Sequence, residues 1–353
     1  MNKTAKKIIV RVCILAAAAG LAFLGSWLAR GWLIFNGPSP YVCRQYIAEN
    51  GESGLYYKLF AKNSPNTAPE SVPAAAPEQS LADAFPKAEK ERLPGSVQLL
   101  ESQPGGSIRD QYGLVDEDGD GVVVMDVGAE GYRGILIVCW DPSRVILGMQ
   151  DNFNTGLTVK QICAKYGALG GINAGGFEDP GGNTNGGKPS SIVISEGEYY
   201  NYKEDKKYQI CGLDEEGKLV IGTYTPAEMR DMRVRDACAF GPILMVDGYE
   251  LGETTIAGGL YPRSAIAQRD DGAIMLLAID GYQAHSAGCT GVDLVALLKE
   301  YHAVTAYNLD GGASTCMVWD GETINTPASM YTDRTIPNAW IILPEGGAGN
   351  GNS

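Results

Sequence analysis

An apolar run, Ala303 to Tyr307, ends in Asn308-Leu309-Asp310-Gly311-Gly312-Ala313-Ser314-Thr315. Paired glycines let a backbone approach a ligand closely or take φ > 0. Asn308 and Asp310 put polar side chains at the mouth of the turn, and Ser314 adds a hydroxyl. A second apolar run, Cys316 to Trp319, follows at once, so the turn lies between two expected strands. Asp-Gly is also an ordinary hairpin signal. The element gains weight because a similar one stands at Gly171-Ile172-Asn173-Ala174-Gly175-Gly176.

Other chemistry-bearing residues sit in like settings. Asp280 follows the apolar run Ala273 to Ile279, and Glu178 follows Gly176 and Phe177. With Asp310 they give three carboxylates able to divide acid, base or nucleophile roles at a sugar. Arg263 and Arg334 supply guanidinium forks suited to phosphate or carboxylate. His285 lies in the polar loop after Asp280; His302 reads as a surface residue. With only two histidines a multi-histidine zinc site is disfavoured. The stretch Asp116-Glu117-Asp118-Gly119-Asp120-Gly121 resembles the start of a calcium loop. Val127 stands where the bidentate Glu is needed, so a charged turn is the better reading. No metal ligand is assigned and no cofactor is expected, with a carboxylate-bound divalent cation left open.

The elements that must hold these residues are read as an α+β fold of strand-rich mixed sheets with two repeat helices. Thr155-Gly156-Leu157-Thr158-Val159 and Thr290-Gly291-Val292-Asp293-Leu294 both enter helix-like stretches with Thr at the start. Thr155 to Thr290 and Asn173 to Asn308 are both 135 residues apart. Upstream, Ile135 to Asp141 mirrors Ile274 to Asp280. A pseudo-twofold duplication is expected, its two Asn-ended turns facing one cleft. Twelve strands are predicted, including one over Ala237 to Val246, and a short helix over Pro226 to Asp231.

Residues 1–36 read as a transmembrane anchor. Val12 to Ala29 carries no charge, and Lys3, Lys6, Lys7 and Arg11 precede it. This predicts a single-pass protein of the cell membrane, N-terminus cytoplasmic, with the rest outside. Residues 37–95 read as a juxtamembrane helix and a Pro/Ala-rich stalk, 96–345 as the globular domain and 346–353 as a disordered tail. The net charge of −14 disfavours nucleic acid as a partner. Of eight cysteines, Cys139, Cys163, Cys238 and Cys316 read as buried thiols, and one or two disulfides stay open.

Five segments together resemble the phosphodiester glycosidase family. They are Ile172-Asn173-Ala174-Gly175-Gly176-Phe177, Pro262-Arg263-Ser264-Ala265-Ile266-Ala267, Ile279-Asp280-Gly281, Asn308 to Thr315 and Arg334-Thr335-Ile336-Pro337-Asn338-Ala339. The likeness spans Gly128 to Leu343, with Ala313 and Ala174 standing where the family pattern often has glycine. It implies an extracellular hydrolase that cleaves the anomeric C–O bond of a sugar-1-phosphate diester, N-acetylglucosamine-like, in cell-wall or exopolysaccharide material. Asp310 is then the main catalytic residue, with Asp280 and Glu178 as seconds. Asn173, Gly176, Arg263, His285, Asn308, Gly311, Gly312, Ser314, Arg334 and Asn338 would bind the carbohydrate phosphodiester. Two other readings stay open: a non-catalytic membrane-anchored glycan-binding protein, and a metal-assisted phosphodiesterase that cuts P–O.

Overall fold

The computed structural model describes residues 99–100, 107–151, 153–180, 185–250, 259–329 and 333–346. The expected anchor, the juxtamembrane and stalk segment and nearly all of the tail lie outside them. Among the described residues no helix is long and apolar enough to cross a membrane.

The main sheet has seven strands in the order β14 (Tyr249–Glu250), β13 (Ile243–Val246), β17 (Ala303–Asn308), β15 (Arg263–Arg269), β16 (Ile274–Ile279), β5 (Tyr132–Cys139) and β4 (Val122–Ala129). A second sheet runs β19 (Glu322–Thr323), β18 (Met317–Trp319), β7 (Gly170–Asn173), β20 (Asn338–Ile342), β6 (Val145–Met149). A third runs β11 (Leu219–Tyr224), β10 (Tyr208–Asp214), β12 (Val234–Cys238), β8 (Val193–Ser195), β9 (Glu198–Tyr200). A three-stranded sheet joins β1 (Leu99–Leu100), β2 (Ile108–Asp110) and β3 (Val115–Asp116). The helices are α1 (Val159–Tyr166), α2 (Pro226–Asp231) and α3 (Gly291–Glu300).

Alternation along the strands builds the layers, because neighbouring side chains leave a sheet on opposite faces. In β5, Ile137 and Cys139 enter a central core with Ile266 and Leu276 of the main sheet and Leu147, Ile172 and Trp340 of the second. Leu136 and Val138 point the other way and pack with Leu294, Val295 and Leu298 of α3. On the far side of the second sheet, Val159, Ile162 and Cys163 of α1 meet Ile146, Val318 and Ile341. The order is therefore helix, sheet, sheet, helix, with both sheets covered on both faces. That is why their strands are near-continuous apolar runs.

Every ladder among the described residues is antiparallel, where mixed sheets were expected. The reason is a strand inserted in each helix-linked unit. β6, α1 and β7 connect two strands that both pair with β20 lying between them. β16, α3 and β17 do the same around β15. The strand leading into α1 is thus β6. Ile135 to Asp141 is not the counterpart of Ile274 to Asp280, for β5 and β16 are paired neighbours in one sheet.

Thr290 caps α3 and Thr158 caps α1, each in a reciprocal capping box. The first helix therefore starts three residues later than the 135-residue spacing implies. The expected strand over Ala237 to Val246 is two strands. Ala239, Phe240, Gly241 and Pro242 separate them, and Pro242 has no N–H for a ladder. The helix over Pro226 to Asp231 forms as expected.

Candidate active site

The Asp310 turn is not a hairpin. It carries the chain from β17 in the main sheet to β18 in the second, through a 3-10 turn at Gly312–Ser314. The end of β7 meets it there: the Asp310 amide donates to the Ala174 carbonyl at 3.0 Å. The two Asn-ended strands therefore converge, as the sequence leads one to expect.

Asn173 holds that junction. Its Oδ1 accepts from the Ser264 hydroxyl at 2.8 Å and the Cys316 amide at 3.1 Å, and its Nδ2 donates to the Asp310 carbonyl at 2.5 Å. It is fully buried, and these bonds give it a bracing role at the junction. Asn308 donates through Nδ2 to the carbonyls of Gly241 and Leu309, at 2.8 and 3.0 Å. Asn338 accepts from the Gly175 amide at 2.8 Å. Both are buried. Asn308 Oδ1 and Asn338 Nδ2 find no hydrogen-bond partner among the described residues.

The Asp310 carboxyl is pushed up to about 6, chiefly by burial. The Ser314 hydroxyl, the Gly311 amide and the Arg334 guanidinium oppose that rise, and Asp179 adds to it. The Gly312 amide donates to the Pro262 carbonyl at 3.0 Å. The Gly311 and Gly312 amides are thus engaged inside the turn. A Cβ on Gly311 would lie 2.8 Å from the Pro262 oxygen, so this position is held to glycine by the close approach of the two chains. Gly176 serves packing too: its amide donates to Ala239 at 3.0 Å and it lies against Phe240.

Arg334 pairs with Asp179 and lies over the Phe177 ring, 5.1 Å from its centroid. Sequence reasoning chose Glu178, but that carboxylate is exposed in an ion pair with Lys188 at 2.8 Å. Asp179, the residue beside it, is the acid that acts on Arg334 and Asp310. The Arg263 guanidinium donates to the Cys289 and Gly259 carbonyls, both at 3.3 Å, above the Tyr261 ring.

Asp280 is nearly buried. Its Oδ1 accepts from the Thr326 amide at 2.8 Å and from Asn325 Nδ2 at 3.1 Å, and its Oδ2 lies 3.0 Å from His285 Nε2. Asn325 also donates to the Thr315 carbonyl and accepts from the Met317 amide. It thereby ties Asp280 to the chain leaving the Asp310 turn. Asn325, Thr326 and Ser264 were missed; of these only Ser264 lay inside a recognised motif. Phe240, Tyr261 and Tyr282 are each about half exposed on segments that border this turn. Away from the site, Asp116, Asp118 and Asp120 gather. Asp116 accepts from the Gly119 and Gly121 amides, both at 2.8 Å. The six described cysteines are buried thiols.

The model of the phosphodiester glycosidase family fits residues 166–343, half of the chain, and the protein belongs to that family. Its fold resembles the catalytic domain of zebrafish N-acetylglucosamine-1-phosphodiester alpha-N-acetylglucosaminidase, solved auto-inhibited by its pro-peptide. The TM-score is 0.54 at 19% identity, over 63% of this chain and 82% of that one. At that identity the likeness is one of fold. A curated relative, the SPbeta prophage-derived uncharacterized protein YomE of Bacillus subtilis (strain 168), is 31% identical over 85 residues. That match covers 24% of this chain and only 13% of the relative.

Proposed function

We propose that this chain hydrolyses the anomeric C–O bond of a sugar-1-phosphate diester, with an N-acetylglucosamine-like sugar, in cell-wall or exopolysaccharide material outside a membrane that residues 12–29 anchor it to. The observation that carries this reading is the Asp310 carboxyl, raised to about 6 beside the Arg334–Asp179 pair. A carboxyl poised near neutrality suits proton transfer or charge stabilisation at a reacting carbon. A departing phosphate monoester has its second ionisation near ~6, so it needs little help from an acid. It needs positive charge, and Arg334 is the guanidinium placed beside Asp310. Asp310 then faces the anomeric carbon, where positive charge develops as the C–O bond breaks.

The test is release of free sugar by the full chain from the methyl diester of N-acetylglucosamine-1-phosphate and from UDP-N-acetylglucosamine. Asp310→Asn is expected to lower turnover by at least about 10²-fold. In heavy-oxygen water the label should enter the sugar. Label in the phosphate would mean P–O cleavage and a different enzyme. The half-exposed rim of Phe240, Tyr261 and Tyr282 favours a second reading, glycan binding without turnover. That reading expects Asp310→Ala to bind glycan as the parent does, with neither protein releasing sugar.

A further inference from the structure

We propose that Asp280 and His285 form a proton-transfer pair for this site, with His285 taking the proton of the attacking water and Asp280 as its positioning residue. The proposal rests on the glycosidase reading above. Three donors converge on the Asp280 carboxylate: the Thr326 amide, the Asn325 side chain and the His285 ring. The first two sit on Oδ1 and fix the carboxylate plane, which leaves Oδ2 aimed at Nε2. A carboxylate only accepts, so the neutral imidazole must carry its hydrogen on Nε2. The Nδ1 lone pair is then the basic position, and the His285 side chain is about half exposed. A buried carboxylate that sets the tautomer of an open imidazole is the usual way a protein builds a general base.

The loop is built to hold this geometry. The Ser286 hydroxyl donates to the Asp280 carbonyl at 2.6 Å and accepts from the Arg133 amide at 2.9 Å. Gln283 and Ser286 close a tight turn around His285. Cys289 and Tyr261 exchange backbone hydrogen bonds at its far end. The loop shares a wall with the Asp310 turn. Gly281 packs on Pro262, whose carbonyl accepts from Gly312, and Asn325 bridges Asp280 to Thr315. In the reaction the water oxygen bonds to the anomeric carbon and one water proton passes to Nδ1. The C–O bond breaks with its electron pair on the phosphate oxygen, and the imidazolium returns its proton to solvent. Asp310 in its ionised form faces the developing cation. Other charged or titratable groups on the surrounding elements are Arg133 on β5, Tyr261 and Arg263 at the start of β15, and Tyr282 within the loop.

The test is kcat and KM on the methyl diester for the full chain, His285→Gln, His285→Gly and Asp280→Asn. His285→Gln should lower kcat by roughly 10²- to 10⁴-fold with KM little changed. Added imidazole should restore turnover to His285→Gly and not to Asp280→Asn. A rise in KM alone, with no rescue, would overturn the proposal and make His285 a binding residue. Parental-type circular dichroism of each variant separates these outcomes from misfolding. If the parent cleaves no diester, the glycosidase reading fails. The pairing itself is then decided by the imidazole nitrogen spectrum: an Nδ1–H tautomer sinks it.

Discussion

The raised carboxyl of Asp310 carries a cost to stability that pH can expose. Its carboxyl titrates at about 6 in the folded chain against an ordinary 3.8. Between those values the folded state holds the proton and the unfolded state has lost it. Stability therefore falls as pH rises through that window, and the full loss is present above it. Asp310→Asn removes the term, so the variant should melt higher than the parent at pH 7.5. The gain should be on the order of 1–3 kcal/mol and should vanish below about pH 4. Asp236, buried and also pushed up to about 6, is common to both proteins and cancels. Thermal melts of the pair across pH check this. Glu178→Gln should change stability by under ~1 kcal/mol, since its partner Lys188 is as exposed as it is. Turnover should stay within a few-fold, by the same sugar-release assay. The sequence pointed at this acidic doublet, and the fold sets Asp179 rather than Glu178 against Arg334. Around it the chain is extended, with Phe177 bridged to Pro189 and the Glu178 amide donating to Lys188. In such a segment adjacent side chains face opposite ways. One acid had to point outward, and only the fold decides which.

At the level of elements, hydroxyl caps and apolar runs were legible because their causes are local. Thr290, Asp293 and the helix they start lie within four residues of one another. Both Asp293 and Thr290 are buried, and the Asp293 carboxylate accepts from the Thr290 amide and hydroxyl at 3.0 and 2.8 Å. Thr290→Ala should therefore cost about 1–2 kcal/mol, at the upper end for such caps, as read from denaturant midpoints. Partner choice was not legible. β5 and β16 have like compositions because each is buried on both faces, and this likeness passed for a repeat. The pairing of β20 between β6 and β7 depends on residues far apart in sequence, which no local pattern encodes. The same distance hid Asn325 and Thr326, whose place beside Asp280 is created by the return of β18 and β19.

Across the molecule, the small sheet of β1 to β3 is fastened to the main sheet by one buried ion cluster. Arg269 donates to Asp110 at 2.6 Å and to Asp271 at 2.8 and 2.6 Å, with all three residues buried. Tyr112 lies over the guanidinium at 4.7 Å and stacks on His302 at 3.9 Å. Arg269→Ala would strand two buried carboxylates, and a loss of roughly 3–5 kcal/mol is expected, measurable by chemical unfolding.

The place of β20 has a consequence for how a cell makes this protein. β6 and β7 emerge from the ribosome early, and each is left with an open edge on the side that faces the other. The strand that closes both edges comes after every other strand of the four sheets. Until it arrives the second sheet is split, and Asn173, which braces the Asp310 turn, sits at the end of a strand lacking one neighbour. A nascent chain halted before Asn338 is thus a template for pairing with its own kind, and the Asp310 turn takes its final support only once β20 has paired with β7.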